Sequence, residues 1–289
     1  MGSMLEQHKD SEQPQIEMRA SGPQSDLQLE LQQVKELCRD LSVQARELKA
    51  AGLQVHKKAD GSYVTNADLQ LSEVLEKQLA EIIDAPVISE ENITSIDVDD
   101  LRALKEWWLI DPIDGTANYL EGYPGYSINV SLIRHGRPVL GVIAIPEEST
   151  IYSAREGGGA YKTDSDSGQD AAIEAKTSWH APLKFGTFYK LDDAHRNRLA
   201  SMLEKLGGSF DNCEPLGAAL KYTSVAEGTF DIAGGWTPLK IWDVAAADIL
   251  LKEAGGRLID ADSYQPLQYQ LDNLDVRSAL AVGQSINSI

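Results

Sequence analysis

The sequence predicts a mixed α/β fold, because helical and strand patterns both recur along the chain. Two segments near the N-terminus have apolar residues at steps of three and four, which indicates amphipathic helices. The middle of the chain has short apolar runs separated by Gly and Pro turns, and further runs then alternate with helical segments. Apolar residues make up 42% and charged residues 25% of the 289 residues, which is typical of a globular protein with a sizeable core.

The first helices follow a polar tail. Residues 1–25 are predicted to be disordered, and Met1-Gly2-Ser3 resembles a leader added for expression. From residue 26 the apolar spacing predicts a helix that ends at Gly52. A second helix is predicted after Thr65, a favourable N-cap residue, with Asp68 three positions later as its capping partner.

Strands are expected in the middle of the chain. The predicted strands are Pro86–Ile88, Trp107–Ile110, Tyr126–Ile133, Val139–Ile145, Ile151–Ala154 and Ala160-Tyr161. The continuous apolar run Trp107–Ile110 indicates burial on both faces. The Asp- and Ser-rich stretch Thr163–Gln169 is predicted to separate an N-terminal α+β part, residues 26–165, from a smaller C-terminal α/β part, residues 166–289. The C-terminal part is predicted to contain strands Lys184–Phe188 and Phe230–Ile232 and helices Ala194–Leu206, Gly217–Glu227 and Val244–Ala254.

The chain is strongly acidic, with 45 Asp and Glu residues against 26 Lys and Arg and a formal net charge of −19. Such a surface repels phosphate backbones and anionic lipid, so we expect neither a nucleic-acid nor a membrane partner. No apolar run approaches the ~20 residues of a membrane-spanning helix. Cys38 and Cys213 are far apart in sequence, which favours free thiols in the cytoplasm over a disulfide framework or a structural zinc site.

A dense group of functional residues follows the buried strand, in the segment Asp111-Pro112-Ile113-Asp114-Gly115-Thr116. Pro112 favours an extended backbone at Asp111, and Gly115 permits a tight turn. Two carboxylates this close repel each other, and hard divalent cations prefer oxygen ligands. The segment therefore predicts a cation site at the carboxyl end of this strand.

Two further acidic positions are ambiguous on their own. Glu90-Glu91 follows a short strand and is compatible with a solvated turn. Asp243, in Trp242-Asp243-Val244-Ala245-Ala246, opens a helix and could be only its N-cap. The N-terminus of a helix is nevertheless a favourable place for a phosphate.

Taken together and in order, these motifs resemble those of the inositol monophosphatase superfamily, which comprises magnesium-dependent, lithium-sensitive phosphomonoesterases. The resemblance rests on Val64-Thr65-Asn66-Ala67-Asp68, Glu90-Glu91, Asp111–Thr116 and Trp242–Ala246, and it extends from about residue 30 to residue 283. It implies a layered α-β-α-β-α sandwich with a metal site between the N-terminal α+β part and the smaller C-terminal α/β part.

The resemblance also implies roles for individual residues and two to three Mg²⁺ ions. Glu90, Asp111 and the carbonyl of Ile113 would hold the first ion, Asp111, Asp114 and Asp243 the second, and a weaker third ion would lie near Glu90. Glu90 and Thr116 would orient and activate the attacking water, with Asp68 supporting them. The backbone amides of Gly115 and Thr116 would hold the phosphate. Glu91 could support the site through water or be a solvated side chain.

Two positions bear on the substrate. Inositol phosphatases of the superfamily generally carry Glu seven residues before the Asp of the Trp-Asp motif. This chain has Trp236 at that position. The Trp236 ring could pack against a substrate ring, or it could be a packed aromatic near the surface. Lys221 resembles the lysine that faces the second phosphate in 3′(2′),5′-bisphosphate nucleotidases, unless it is an exposed helix lysine. The segment Lys57-Lys58-Ala59-Asp60-Gly61-Ser62 also resembles that of the nucleotidases, and Lys240 could add positive charge. Val244-Ala245-Ala246 is closer to the inositol branch.

The leading hypothesis is therefore Mg²⁺-dependent hydrolysis of the 3′-phosphate of adenosine 3′,5′-bisphosphate by a monomer or homodimer. Inositol monophosphatase is the alternative, and sugar bisphosphatase is a third. A non-catalytic phosphonucleotide-binding sensor is the alternative from another class. Because the predicted metal-binding carboxylates and Thr116 are all present, the sequence favours an enzyme over that sensor.

Overall fold

The computed structural model describes residues 27–58, 61, 63–93, 104–121, 125–178 and 182–283. The predicted tail and parts of the segment after Lys58 lie outside these ranges. The helices are Gln28–Ala51 (α1), Asn66–Ile82 (α2), Thr116–Glu121 (α3), Asp193–Lys205 (α4), Leu220–Ala226 (α5) and Ile241–Glu253 (α6). Within the described ranges, none of the helices is long and apolar enough to span a bilayer.

The strands are numbered β1 to β16 along the described chain. They are Val55–Lys57 (β1), Tyr63–Thr65 (β2), Val87–Ser89 (β3), Glu106–Asp114 (β4), Ser127–Arg134 (β5), Arg137–Ile145 (β6), Thr150–Arg155 (β7), Gly159–Asp164 (β8), Asp170–Ala172 (β9), Phe185–Thr187 (β10), Cys213–Pro215 (β11), Ile232–Gly235 (β12), Leu239–Lys240 (β13), Arg257–Ile259 (β14), Asp275–Val276 (β15) and Ala279–Val282 (β16).

The two N-terminal helices form as their sequence predicts. α1 ends at Gly52, whose φ of 100° is a backbone conformation that favours glycine. α2 begins with a complete capping box, in which the Thr65 side chain accepts from the amide of Asp68 and the Asp68 carboxylate accepts from the amide of Thr65. Both helices bury an apolar stripe against one face of the larger sheet, so the capping box is fixed close to that sheet.

The larger sheet has the order β3-β4-β5-β6-β7-β8-β9. β3 is parallel to β4, and the remaining neighbours are antiparallel hairpin partners. β9 pairs with β8 and therefore belongs to this sheet. The predicted division at residue 165 is wrong in this respect, because it cuts through the β8–β9 hairpin and the two sheets separate only after Ala172.

The smaller sheet has the order β11-β10-β12-β16-β14, with β10 parallel to both β11 and β12. Three apolar clusters separate the layers. One joins α1 and α2 to the larger sheet, one packs α5 and α6 between the two sheets, and one packs α4 on the outer face of the smaller sheet. The order of layers is therefore helices, sheet, helices, sheet, helix, as the sequence analysis expects.

Two predicted boundaries differ from the structure near the C-terminal helices. α5 begins at Leu220 rather than Gly217, because Ala218 has a positive φ of 40° that is incompatible with a right-handed helix. α6 begins at Ile241, before the predicted Val244. Asp243 therefore lies in the first turn of α6 and is not the N-cap residue.

Candidate active site

A β-bulge at the end of β4 brings two carboxylates to the same side of the sheet. Side chains alternate along a strand, so residues three apart normally point to opposite faces. Here Asp111 lies opposite Asn129 and Asp114 lies opposite Ser127, so β4 contains one residue more than β5 over this interval. The extra residue re-aims the strand, and Asp111 and Asp114 converge.

Helix α6 supplies the third carboxylate. A carboxylate oxygen from each of Asp111, Asp114 and Asp243 can be chosen so that all lie within 4.8 Å of one another. The helix approaches the sheet closely, since a Cβ on Gly141 of β6 would lie only 2.9 Å from the carbonyl oxygen of Ala246. The small residues of α6 therefore allow its first turn, with Asp243, to reach the end of β4.

Burial and mutual repulsion make this cluster electrostatically unfavourable without a counter-charge. Burial, followed by the charges of Asp114, Glu90 and Asp243, raises the pKa of Asp111 well above its ordinary value. Burial and Asp114 raise the pKa of Asp243 to about 8. Three converging carboxylates with hard oxygen donors are the chemistry that a divalent cation such as Mg²⁺ prefers, so the residues present fit the predicted metal.

A second network connects α2 to the bulge. Both the amide and the hydroxyl of Thr65 donate to Asp68 Oδ2. Thr116 Oγ1 lies 3.2 Å from Asp68 Oδ1 and 3.1 Å from the carbonyl oxygen of Ile113, so its single proton can be donated to either. The predicted pair Asp68 and Thr116 is thus brought together at hydrogen-bond distance. Burial raises the pKa of Asp68, and the bonds from Thr65 and Thr116 oppose that rise.

The turn between β4 and α3 requires glycine. Gly115 has a φ of 85°, and a Cβ at this position would lie 3.3 Å from the Cβ of Ala218. The loop before α5 therefore packs directly on the Asp111–Thr116 segment. This contact places the predicted phosphate-holding amides of Gly115 and Thr116 at the junction of the two parts of the chain.

Glu90 does not join the three-carboxylate group in the described structure. It follows β3, which is parallel to β4, so both strands end at the same edge of the sheet. Its carboxylate accepts a hydrogen bond from Lys58 Nζ at 2.6 Å, and Lys58 also bonds Glu91 at 2.9 Å. Glu90 is still close enough to raise the pKa of Asp111, whereas Glu91 is an ion-pair partner of Lys58 and not a fully solvated side chain.

Lys221 is a buried cation, and its interpretation as an exposed helix lysine is wrong. Only 3% of the residue is exposed. Its ammonium donates to the carbonyl oxygen of Ala218 and lies 4.4 Å from the ring centroid of Phe188 and 4.8 Å from that of Tyr222. Burial lowers the pKa of Lys221 to about 8, although Asp114 and Asp243 act in the opposite direction.

Trp236 and Lys240 are engaged elsewhere. Trp236 is buried in the outer cluster with α4. Its Nε1 donates to Asp262 at 3.0 Å, and the guanidinium of Arg198 lies 4.3 Å from the centroid of its ring. The packed-aromatic interpretation of Trp236 accounts for these contacts without a substrate. The ammonium of Lys240 pairs with Asp275 at 2.6 Å.

Two polar residues of β5 also contact the carboxylate group, and the sequence analysis does not identify them. Asn129 Nδ2 lies 3.1 Å and Ser127 Oγ 3.3 Å from Asp114 Oδ2. The sequence contains a signal for them, because Ser127, Asn129 and Ser131 alternate with Ile, Val and Leu in an otherwise apolar strand. A period-two polar face on a buried strand indicates that this face meets polar groups.

Comparisons with known proteins identify the same family along almost the whole described chain. A model of the "Inositol monophosphatase family" matches residues 26–285. A 3′(2′),5′-bisphosphate nucleotidase CysQ of Aggregatibacter actinomycetemcomitans is 34% identical over 83% of this chain and 87% of that protein. An inositol-1-monophosphatase of Mesorhizobium japonicum is 30% identical over 76% of this chain and 79% of that protein.

Solved structures agree on the fold. CysQ from Bacteroides thetaiotaomicron, a bacterial member of the inositol monophosphatase family, superposes with a TM-score of 0.73 at 22% identity and covers 90% of this chain and 98% of that chain. A Thermotoga maritima IMPase superposes with a TM-score of 0.72 at 24% identity, covering 89% and 93% of the two chains. These matches agree with the motifs and with the five layers of the fold. The chain belongs to the inositol monophosphatase family.

Proposed function

We propose that this protein is a Mg²⁺-dependent 3′(2′),5′-bisphosphate nucleotidase that removes the 3′-phosphate of adenosine 3′,5′-bisphosphate. The observation that carries the proposal is the buried ammonium of Lys221, on which the charges of Asp114 and Asp243 act. A substrate with two phosphates brings a second anionic group that a cation near the metal site can bind. The CysQ relatives, which are named for this activity, support the same choice.

Two to three Mg²⁺ ions are proposed to bind here. Asp111, Asp114, Asp243, Glu90 and the carbonyl of Ile113 would hold them. Such ions, when bound, neutralise the phosphate and lower the pKa of the attacking water. Because Glu90 pairs with Lys58 in this structure, its participation requires that the ion pair opens.

The protein's own groups orient the water and the phosphate. When Thr116 Oγ1 donates its proton to Asp68 Oδ1, its lone pairs are free to accept a hydrogen bond from the attacking water and so to orient it. Thr65 fixes the other oxygen of Asp68, which keeps the acceptor pointed at Thr116. Glu90 supplies the base that receives the water proton, and the amides of Gly115 and Thr116 hold the phosphate oxygens.

A comparison of kcat/KM for three substrates tests this proposal. Adenosine 3′,5′-bisphosphate should exceed inositol 1-phosphate by about 10-fold or more, since one charge-assisted hydrogen bond to the second phosphate contributes about 1.5–3 kcal/mol. Fructose 1,6-bisphosphate also carries two phosphates, so a rate above that of the nucleotide would favour the sugar bisphosphatase alternative. A preference for inositol 1-phosphate would instead favour an inositol monophosphatase, in line with the Mesorhizobium relative. Phosphate release from none of the three at saturating Mg²⁺ would favour a non-catalytic sensor.

Lithium is expected to inhibit the enzyme. The expectation rests on family membership, because hard oxygen ligands alone do not predict lithium affinity. Steady-state phosphate release should fall with added LiCl, in an uncompetitive or noncompetitive pattern towards substrate, while matched NaCl controls for ionic strength. Full activity at tens of millimolar LiCl, a roughly chosen ceiling, would argue against the assigned branch while leaving two-metal hydrolysis intact.

A cytoplasmic location remains a prediction, supported by two free cysteines. Cys38 lies on the buried face of α1, and burial raises the pKa of its thiol to about 12. Cys213 is also unpaired. A thiol with so high a pKa is poorly reactive, so oxidation is not expected to regulate Cys38. Whether the protein is a monomer or a homodimer also remains a prediction.

A further inference from the structure

The face of β5 that meets the acidic cluster carries two side chains aimed at the same oxygen. Ser127 and Asn129 are 0% and 2% exposed, and both donate to Asp114 Oδ2. The intervening Ile128 packs on the other face, in the cluster beneath α1 and α2. The polar side of β5 is covered by α6, so these two donors are enclosed together with the carboxylate they contact.

The orientation of the Asn129 amide follows from this contact. If the amide were rotated by 180°, its Oδ1 would face the Asp114 carboxylate, and two acceptors would repel each other. With Nδ2 facing Asp114, Oδ1 is buried and lacks a hydrogen-bond partner among the described residues. A buried unpaired carbonyl lowers the stability of the folded protein. The contact between Asn129 and Asp114 is therefore present although it leaves Oδ1 unpaired.

The two donors fix the orientation of the Asp114 carboxylate. Asn129 Nδ2 lies 3.1 Å and Ser127 Oγ 3.3 Å from Oδ2. Because Oδ2 is held on β5, Oδ1 is the oxygen left for other ligands.

We infer that Asn129, assisted by Ser127, is a positioning residue that holds the Asp114 carboxylate oriented for the divalent cation. It acts through Asp114 and needs no contact with substrate. The inference rests on the proposed magnesium site, and it adds a residue that sets the affinity of that site. Partners of metal-binding carboxylates typically influence metal affinity about 10- to 100-fold.

The test uses the full-length protein and isothermal titration calorimetry with MgCl₂. In Asn129→Leu, which keeps a similar side-chain size without a donor, the dissociation constant for Mg²⁺ should rise about 10- to 100-fold. Ser131→Ala is the matched control, because Ser131 is 1% exposed on the same strand face and its hydroxyl is not among the described donors to Asp114. The dissociation constant of Ser131→Ala for Mg²⁺ should stay within about twofold of wild type, because this substitution removes no described contact with the carboxylates.

Kinetics provide a readout that a merely structural role would not change. In Asn129→Leu the Mg²⁺ concentration for half-maximal activity should rise in parallel, while kcat at saturating Mg²⁺ recovers most of the wild-type value. Should Asn129→Leu fail to fold, Ser127→Ala removes the more distant donor and should raise the dissociation constant for Mg²⁺ about two- to fivefold, as expected for loss of one hydrogen bond worth about 0.5–1 kcal/mol.

Three outcomes distinguish the possibilities. Weaker Mg²⁺ binding in Asn129→Leu but not in Ser131→Ala supports the inference. Equal binding by Asn129→Leu and wild type, or by Ser127→Ala and wild type where Asn129→Leu does not fold, overturns it while the proposed metal site stands. Absence of Mg²⁺ binding by the wild-type protein overturns the metal site itself, and the positioning role with it.

Discussion

Asp111→Asn should lower kcat/KM by roughly 1000-fold or more at saturating Mg²⁺, which corresponds to roughly 4 kcal/mol of transition-state stabilisation. Asp111 is almost completely buried and lies where the carboxylates of β4 and α6 converge. Asparagine keeps the shape of the side chain and can still accept the hydrogen bond from the amide of Ile113, 3.1 Å from Asp111 Oδ1. The variant therefore removes charge while preserving the local turn. Phosphate release over a range of Mg²⁺ concentrations measures the effect.

The same substitution should stabilise the protein in the presence of a chelator. Raised folded-state pKa values mean that the metal-free fold binds protons more tightly than the unfolded chain, whose carboxyls titrate near pH 4. Without metal, stability should therefore decline as the pH rises from about 4 towards about 8, where Asp243 titrates. Asp111→Asn removes one of the repelling charges, so its unfolding temperature should exceed that of wild type at pH 7.5 and approach it at pH 5.

An exposed aspartate provides the control for both measurements. Asp84→Asn changes the net charge equally but lies at an exposed position outside the carboxylate cluster, and should leave activity and stability near wild type. Full activity of Asp111→Asn at saturating Mg²⁺ would refute the assignment of Asp111 as a metal ligand. An unfolding temperature below that of wild type at every pH would show that mutual repulsion of these carboxylates does not lower the stability of the metal-free protein.

The fold was predictable where local chemistry decides it. The capping box of Thr65 and Asp68 and the stop at Gly52 depend on neighbouring residues, and both form. The pairing of β9 was not predictable from the same signals. Asp170–Ala172 is a short exposed strand, and its place in the larger sheet depends on pairing with β8 and on the ion pair between Asp170 and the buried Lys35 of α1.

Within the candidate site, the motif identified which residues matter but not how they are arranged. The convergence of Asp111 and Asp114 depends on a bulge that only the pairing with β5 reveals. The environments of Lys221 and Trp236 depend on contacts between layers. Lys221 is enclosed by the ring of Phe188, 33 residues earlier in the chain, and by Tyr222, and Trp236 is held by Asp262, 26 residues further along the chain. Periodicity and spacing do not encode such contacts.

Lys221→Met is the substitution that decides the substrate. It should reduce kcat/KM for adenosine 3′,5′-bisphosphate by about 10- to 150-fold, the effect of losing one charged hydrogen-bond donor worth about 1.5–3 kcal/mol. Methionine retains the length and apolar packing of the buried side chain against Phe188 and Tyr222. The rate with inositol 1-phosphate should change little, because it has no second phosphate and the metal ligands are intact. Lys205→Met, at an exposed position on α4, controls for loss of a positive charge.

The comparison between the two substrates separates binding of the second phosphate by Lys221 from an effect of Lys221 on cation binding. Lys221 also lies near Asp114 and Asp243, so its removal could weaken or strengthen cation binding. That effect would change both rates together and would diminish when Mg²⁺ is raised to saturation. If the two substrates slow equally and the loss diminishes at saturating Mg²⁺, Lys221 acts on the carboxylates and not on the substrate. The nucleotidase assignment would then lose its main structural support, and inositol monophosphatase would become the better assignment.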